Sequence, residues 1–322
     1  MQNEDIIIVG GGPCGLAAAI SLKEIGKNPL VIEKGNVVNA IYHYPTHQTF
    51  FSTSEKLEIG EVPFLTENYK PRRNQALVYY REVVKRKKLR VHAYEKVANV
   101  MKQGERFIVK TDKRTYQAPY VIIATGYYDH PNYMNVPGED LSKVFHYFKE
   151  AHPYFDKEVC VIGGKNSSVD AAIELEKAGA RVTVLYRGNE YSPSIKPWIL
   201  PEFEALVRNE MISMEFRAHV KEITEKQVIY VKDGVEHTID NDFVFAMTGY
   251  HPDHHFLKTM GIDIDRESGR PCYNPDTMET NISGIFIAGV IAAGNNANEI
   301  FIENGRFHGG LIAKSIMEKE NK

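Results

Sequence analysis

Two stretches of the chain share one pattern of apolar and polar positions. IIIVGGGPCGLAAAISLKEIGKNPLVIEK begins at Ile6, and VCVIGGKNSSVDAAIELEKAGARVTVLYR begins about 153 positions later. Each contains an apolar strand, a glycine-rich turn, an alanine-rich helix, a glycine stop and a second apolar strand. The pattern therefore predicts a βαβ unit that occurs twice, which is typical of an α/β protein.

The segments around these two units predict further strands and helices. They are a helix running into a strand at residues 75–94, a meander at 105–126 that returns to an apolar strand at Tyr120–Ala124, a hairpin at 227–239 that turns at Asp233-Gly234, strands at 242–249 and 284–289, and an amphipathic helix from Gly305 to the end.

Composition narrows the class of protein. The 322 residues suggest two domains or one large one, and 43% hydrophobic with 25% charged residues is typical of a soluble globular protein. A net charge of −3 gives no electrostatic reason to expect nucleic acid as a partner. No apolar run approaches the ~20 residues of a membrane helix, and the N-terminus does not resemble a signal peptide. We therefore expect a cytoplasmic protein.

The cysteines and histidines do not predict a metal site. The three cysteines, Cys14, Cys160 and Cys272, are too widely spaced for a disulfide framework or a zinc pattern. The His254-His255 pair has no third ligand in view. We expect no metal, a core position for Cys160 in its apolar strand, and an inert loop position for Cys272.

The first glycine turn has the complete pattern of a dinucleotide site. Gly10, Gly12 and Gly15 fill G-x-G-x-x-G between a strand and a helix, where they allow a tight turn, close approach of the pyrophosphate and helix–strand packing. Glu33 ends the next strand. A carboxylate there accepts a hydrogen bond from a ribose 2′-hydroxyl and repels a 2′-phosphate.

The second turn differs in the residues that would read the nucleotide. Gly163, Gly164 and Ser168 stand where glycine or a small residue is wanted, while Lys165 takes the middle glycine position. The following strand ends in Arg187, which suits a 2′-phosphate. The alternative is that Arg187 is only an exposed charge at a strand end.

The two turns together predict two different cofactors. One excludes a 2′-phosphate and the other accepts it, so FAD is expected in the first and NADPH in the second. A flavin with a nicotinamide indicates hydride transfer from NADPH to the flavin and then onward.

Several motifs resemble the low-molecular-weight, thioredoxin-reductase-like flavoproteins over nearly the whole chain. They are GGGPCG, Ala124-Thr125-Gly126, GGKNSS, Met247–Asp253 and Thr280–Gly289. The resemblance implies two Rossmann-like, three-layer dinucleotide-binding domains, with the NADPH domain inserted into a discontinuous FAD domain. The expected boundaries are 1–150 and 246–322 for the FAD domain and 151–245 for the NADPH domain. The resemblance also implies a homo-oligomer.

Two departures narrow the resemblance. No C-x-x-C pair is present, and Gly289 is followed by Val290 where the family motif has an aspartate that binds the ribityl chain. That contact is lost or replaced. These departures, with a cysteine in GGGPCG, resemble the bacillithiol disulfide reductase family, which uses FAD and NADPH to reduce a small-molecule disulfide. In that family the glycine-loop cysteine, here Cys14, is the proposed redox residue.

The motifs and the resemblance together define the expected site. The residues expected at FAD are Gly10, Gly12, Pro13, Cys14, Gly15, Glu33, Lys34, Gln48, Thr125, Gly126, Gly289 and Val290. Those expected at NADPH are Gly163, Gly164, Asn166, Ser167, Ser168 and Arg187.

The chemistry of Cys14 remains open at this point. The N-terminus of a helix lowers the pKa of a thiol, and a thiolate can attack a disulfide. A bound pyrophosphate opposes a thiolate, and an extended FAD places its isoalloxazine roughly a nanometre from the turn. The other interpretation is that this loop position takes any small residue.

Other side chains have two open interpretations each. His43, His47 and Gln48 are candidate flavin or substrate contacts, or parts of a packed aromatic loop. Arg306 and His308 open the last helix, where related flavoproteins stabilise the reduced flavin. They alternatively lie at the surface.

Three other functions share parts of this pattern. A flavin-dependent monooxygenase has both turns, but its F-x-G-x-x-x-H linker is not matched. The Phe is missing, since Asn135 stands two places before Pro137, and the Gly138–His146 spacing is too long. A ferredoxin–NADP reductase of thioredoxin-reductase type also lacks C-x-x-C. An NADPH sensor without turnover is the third.

Overall fold

The computed structural model describes residues 1–296 and 298–321, and the chain divides into two compact units. Unit 1 contains Met1–His130 and Tyr250–Lys322, and unit 2 contains Pro131–Gly249. The sequence placed the boundaries after residues 150 and 245 instead. Residues 131–150 belong to unit 2 because Val144–Phe145 pairs in parallel with the strand that begins at Phe243.

The first part of unit 1 follows the predicted order closely. Its strands are β1 (Gln2–Asn3), β2 (Ile6–Val9), β3 (Leu30–Ile32), β4 (Arg90–His92), β5 (Val97–Gln103), β6 (Arg106–Thr111), β7 (Thr115–Ala118) and β8 (Tyr120–Ile123). Its helices are α1 (Pro13–Glu24), α2 (Asn39–His43), α3 (Ser54–Leu57) and α4 (Arg73–Arg86).

Unit 2 contains the second βαβ unit and the predicted hairpin. Its strands are β9 (Val144–Phe145), β10 (Glu158–Ile162), β11 (Arg181–Tyr186), β12 (Ile212–Phe216), β13 (Ala218–Ile223), β14 (Gln227–Lys232), β15 (Val235–Asp240) and β16 (Phe243–Ala246). Its helices are α5 (Asn166–Lys177) and α6 (Leu200–Arg208), with a 3-10 turn at His152–Tyr154.

The chain then returns to unit 1 with α7 (His254–Thr259), β17 (Ile285–Ile287), a 3-10 turn at Val290–Ala293, α8 (Ile302–Gly305) and α9 (His308–Glu320). The predicted C-terminal helix is present as α9, but it begins at His308 and not at Gly305, where the short helix α8 ends. Gly309 allows α9 to lie directly on α1, since an added Cβ would lie 2.6 Å from Ala18 Cα.

Each unit is built on a parallel sheet, as the two βαβ patterns predict. The described residues of unit 1 form the strand order β17-β8-β2-β3-β4, and those of unit 2 form β12-β11-β10-β16-β9. Unit 1 adds the sheet β1-β7-β6-β5 and unit 2 the antiparallel sheet β13-β14-β15. Strands buried on both faces read as continuous apolar runs, and all four residues of β2 are buried.

The three layers of unit 2 follow from the alternation of side chains along β10. Val159 and Val161 lie in the apolar cluster that includes Ala172 of α5. Cys160 and Ile162 point to the other face, where they pack in a cluster with residues of β13 and β14. Cys160 is fully buried there, which confirms its core position. The predicted α/β fold class is confirmed.

Candidate active site

The first glycine turn leaves open space at one position only. At Gly10, with φ of +111°, an added Cβ would lie 2.4 Å from Ala124 O at the end of β8. At Gly15 it would lie 2.1 Å from Gly10 O, so the third glycine allows α1 to pack on the strand. At Gly12 it would meet nothing within 4 Å. The turn thus presents open backbone at the position where a pyrophosphate approaches.

Glu33 holds this turn in place from the end of β3. Its carboxylate accepts hydrogen bonds from Gly11 N and Gly35 N, both at 2.7 Å, and the residue is only 7% exposed. Burial raises the pKa of Glu33, while the two backbone N–H groups oppose that rise. Each oxygen keeps a lone pair, so the carboxylate can also accept from a ribose hydroxyl.

Lys34 lies beside this carboxylate and pairs with Asp129 at 2.9 Å. Asp129 belongs to the segment that follows β8, so the ion pair connects the ends of β3 and β8. The sequence did not identify Asp129, because nothing local to it indicates that it lies near Glu33. The cofactor contact of Lys34 remains a prediction.

Thr125 provides an unsatisfied hydrogen-bonding group at the end of β8. Its hydroxyl oxygen is buried and has no hydrogen-bond partner among the described residues. A buried hydroxyl without a partner costs about 1–3 kcal/mol. Gly126 follows with φ of +70° and open space at its Cβ position. A ligand with polar atoms at this edge would satisfy Thr125, so these residues fit a bound dinucleotide.

Cys14 is the second residue of α1, and its thiol faces the C-terminal part of unit 1. An added Cβ at Gly289 would lie 3.0 Å from Cys14 Sγ, and one at Gly305 would lie 2.9 Å from it. The residue keeps some exposed surface, but burial of the thiol raises the pKa of Cys14 to about 12. Burial therefore opposes the effect of the helix N-terminus on the pKa of Cys14. A helix dipole contributes about 0.3–1 kcal/mol, less than the cost of desolvating the thiolate.

Gly289 is held by a histidine of the last helix. Gly289 N donates to His308 Nδ1 at 3.1 Å, so the ring proton of a neutral His308 is on Nε2. Burial lowers the pKa of His308, which favours this neutral form. Val290 is partly exposed and begins the 3-10 turn. Whether Gly289 and Val290 contact a flavin remains a prediction.

Arg306 and the aromatic loop have structural contacts of their own. Arg306 Nη1 donates to the carbonyl oxygens of Glu55 (3.1 Å) and Glu58, so it is not a free surface charge. Gln48 Nε2 donates to Thr49 O at 3.1 Å within its loop.

The loop that contains His43, His47 and Gln48 also has aromatic packing, which is one of the two interpretations open from the sequence. The Tyr44 ring lies 6.1 Å from Phe50 and 5.1 Å from Tyr128. His43 and His47 are exposed. No contact of these residues or of Gln48 with a flavin is tested by the structure, and that interpretation remains a prediction.

The second glycine turn repeats the backbone geometry of the first. Gly163 has φ of +138°, and an added Cβ would lie 2.5 Å from Met247 O, as at Gly10. Ser168 is 1% exposed and donates to Lys165 O at 2.8 Å. Lys165 itself is exposed at the position of the open Gly12.

The residue that takes the place of Glu33 in unit 2 is Tyr186. Gly10 N donates to Ile32 O and Gly163 N donates to Leu185 O, both at 2.9 Å, which aligns the two strands. Arg187, assigned to the acid position from the sequence, lies one residue further. The constant offset of about 153 positions between the units pointed to Tyr186. Its ring packs on Gly164, where an added Cβ would lie 2.3 Å from it.

Arg187 has no partner among the described residues, whereas the Asn166 side chain has two. Arg187 is exposed, and no hydrogen bond or ion pair joins it to any of residues 1–296 or 298–321. The Asn166 side chain instead bonds Ser194 O at 2.8 Å and Lys196 N at 3.0 Å. Ser167 is exposed. A guanidinium free of partners at this strand end suits a phosphate.

Fold and site together define an oxidoreductase with two Rossmann-type glycine turns. The chain is similar to bacilliredoxin reductase Bdr of Bacillus subtilis (strain 168), with 72% identity over 323 residues and 100% of both chains covered. Among solved structures, bacillithiol disulfide reductase Bdr from Bacillus cereus has a TM-score of 0.98 at 72% identity, with 99% of this chain and 100% of that chain covered. Its counterpart from Staphylococcus aureus has a TM-score of 0.97 at 62% identity and the same coverage.

A family model described as "Pyridine nucleotide-disulphide oxidoreductase" matches residues 7–289, and the chain belongs to this family. The expected enzyme class, a disulfide reductase that uses a flavin and a pyridine nucleotide, is thereby confirmed and is favoured over the monooxygenase and ferredoxin reductase alternatives. Across the described residues, no helix combines the length and apolar character needed to cross a membrane. The same residues contain no cluster of three or more His, Cys, Asp or Glu that could hold a metal.

Proposed function

We propose that this enzyme contains FAD and uses NADPH to reduce the disulfide form of the low-molecular-weight thiol bacillithiol. The choice of cofactors rests on one difference between the two units. Unit 1 has Glu33 at the end of the strand after its glycine turn, whereas unit 2 has Tyr186 there, followed by Arg187. The substrate is proposed from the names of the solved relatives from Bacillus cereus and Staphylococcus aureus. The name of the Bacillus subtilis relative favours oxidised bacilliredoxin, a protein, as a second candidate.

FAD is assigned to unit 1, where Glu33 would accept from a ribose hydroxyl, open Gly12 would face the pyrophosphate, and Thr125 would gain a partner. The proposed FAD residues are those expected from the sequence: Gly10, Gly12, Pro13, Cys14, Gly15, Glu33, Lys34, Gln48, Thr125, Gly126, Gly289 and Val290. When bound, the flavin supplies a two-electron acceptor for hydride from the pyridine nucleotide.

NADPH is assigned to unit 2, and the geometry supports the choice of NADPH over NADH. Tyr186 replaces the carboxylate of Glu33 and would not repel a 2′-phosphate, and the guanidinium of Arg187 is adjacent. The proposed NADPH contacts are Gly163, Gly164, Asn166, Ser167, Ser168 and Arg187. The Asn166 side chain is bonded within the protein, so its contact with NADPH would come from its backbone N–H at the start of α5.

We keep the proposal that Cys14 reacts with the disulfide. Its thiol lies against Gly289 and Gly305, and burial raises its pKa, so attack requires that Sγ leave this contact and lose its proton. Cys14→Ser should then bind FAD normally and lose the reduction of bacillithiol disulfide. Near-normal turnover in Cys14→Ser would instead make Cys14 a small loop residue only.

NADPH oxidation measured with bacillithiol disulfide, with oxidised bacilliredoxin and with neither tests the proposed function. We expect rapid oxidation with the small disulfide and slow oxidation with oxygen alone. Rapid oxidation without any disulfide would favour a monooxygenase or oxidase, and rapid oxidation with bacilliredoxin alone would favour the second candidate. A colourless, folded protein that takes up no FAD would contradict the assignment of unit 1.

A cytoplasmic location and a homo-oligomeric state are proposed on the resemblance to the family. The three cysteines are free in the structure, as expected in a reducing compartment. Light scattering coupled to gel filtration tests the oligomeric state.

A further inference from the structure

After Arg187 the chain returns to the first turn of α5 and is fastened there. Asn166 Nδ2 donates to Ser194 O at 2.8 Å, and Asn166 Oδ1 accepts from Lys196 N at 3.0 Å. We call these two hydrogen bonds the Asn166 clamp and residues 192–196 the clamped loop. Because a donor and an acceptor are both used, only one orientation of the amide satisfies the clamp.

An ion pair one helical turn further on holds the same loop. Lys196 Nζ lies 2.9 Å from Asp170 Oδ2, and the Lys196 side chain is only 8% exposed. Asp170 follows Asn166 by four residues, so both lie on one face of α5. A buried ammonium that loses its carboxylate partner is costly, which makes this pair a strong restraint on the loop.

The interior of the clamped loop is also packed. Ser192 and Ile195 are buried, and Ser192 Oγ lies 2.8 Å from Ser194 Oγ. The loop is thus held by its backbone, by its one lysine and by an apolar anchor. These contacts attach the clamped loop to α5 and to the core of unit 2.

We propose that the Asn166 clamp fixes this loop as one side of the pyridine-nucleotide site, with Asn166 and Lys196 as positioning residues. The inference rests on the proposed function, which assigns the nucleotide to unit 2. The loop leaves the strand at Arg187, and α5 begins at the glycine turn, so the clamp joins the two sides between which the nucleotide would lie. A loop already ordered before binding saves the entropy of ordering it on binding.

The Asn166 clamp and Arg187 should have different effects on the binding of NADPH and NADH. The N-terminus of α5 faces the pyrophosphate, which NADPH and NADH share, whereas Arg187 would read the 2′-phosphate of NADPH alone. Loss of the clamp should therefore weaken the binding of both nucleotides by the same factor. This shared loss separates a positioning role from direct recognition of the phosphate.

The test compares Asn166→Ala with the wild type and with Thr224→Val, which removes a hydroxyl that contacts Gln227 in the β13–β14 turn. We expect Asn166→Ala to raise the Kd of NADP⁺ and of NAD⁺ about tenfold each, with kcat within about twofold. Hydrogen exchange of the Lys196 amide should accelerate about tenfold or more. Thr224→Val should change neither quantity. Asp170→Asn is nearly isosteric and should change the nucleotide Kd and the Lys196 exchange rate in the same direction as Asn166→Ala. It replaces Asn166→Ala in the test if Asn166→Ala does not fold.

Three results would overturn this inference and leave the proposed function standing. They are unchanged exchange at Lys196, faster exchange with unchanged binding of both nucleotides, and weaker binding of NADP⁺ only. A wild-type protein that binds neither nucleotide would overturn the proposed function, and the clamp's role with it.

Discussion

The reactivity of Cys14 offers a direct test of the site. Burial raises the pKa of this thiol from its usual value of 9.0 to about 12. That difference corresponds to about 4 kcal/mol against the thiolate. At pH 7.5 the thiolate fraction falls from about 3% to about 0.003%, which is roughly a thousandfold. Because only the thiolate is alkylated, Cys14 should be nearly inert at neutral pH.

Iodoacetamide labelling followed by peptide mass spectrometry measures this effect at each cysteine. Cys272 is exposed and serves as the internal reference, and fully buried Cys160 should remain unlabelled in the folded protein. We expect Cys14 to label at least about a hundredfold more slowly than Cys272 at pH 7.5 and to accelerate with each rise in pH. Labelling of Cys14 as fast as Cys272 at neutral pH would refute the argument from burial. Slow labelling together with inactive Cys14→Ser would mean that the thiol becomes reactive only during turnover.

Other parts of the structure give further expected results. Gly15→Ala should lower the free energy of unfolding by about 1–3 kcal/mol because its Cβ meets backbone, while Gly12→Ala should unfold like the wild type but lose FAD more easily; equal stability of both variants would contradict the packing of the turn. Arg187→Ala should raise the KM of NADPH about tenfold or more, leaving NADH and the melting temperature unchanged; equal weakening of both coenzymes would count against 2′-phosphate recognition. Because burial lowers the pKa of His308, its neutral form stabilises the fold above about pH 6.5, and this stability is lost as pH falls through the folded-state pKa. Urea unfolding between about pH 7 and 5 should therefore show a shallower loss in His308→Asn, whose oxygen can still accept from Gly289 N; an unchanged slope would show that His308 does not titrate in this way.

The sequence determined the features that depend on neighbouring residues. Short continuous apolar runs placed β2, β8, β10 and β16, and the turn residues Asp233-Gly234 placed the β14–β15 hairpin. The glycines of both turns were recognisable because their spacing is a local requirement of strand–turn–helix geometry. The family resemblance rested on these same local motifs, and it was confirmed.

Only the tertiary structure decided the features that depend on distant residues. The pKa of Cys14 is raised because Gly289 and Gly305, far along the chain, cover a thiol that its own helix end would favour as a thiolate. Nothing in the sequence near Asn166 indicates that its side-chain amide is bonded to a loop about thirty residues away. Burial and hydrogen-bond partners are set by contacts between segments, and no pattern along one segment contains them.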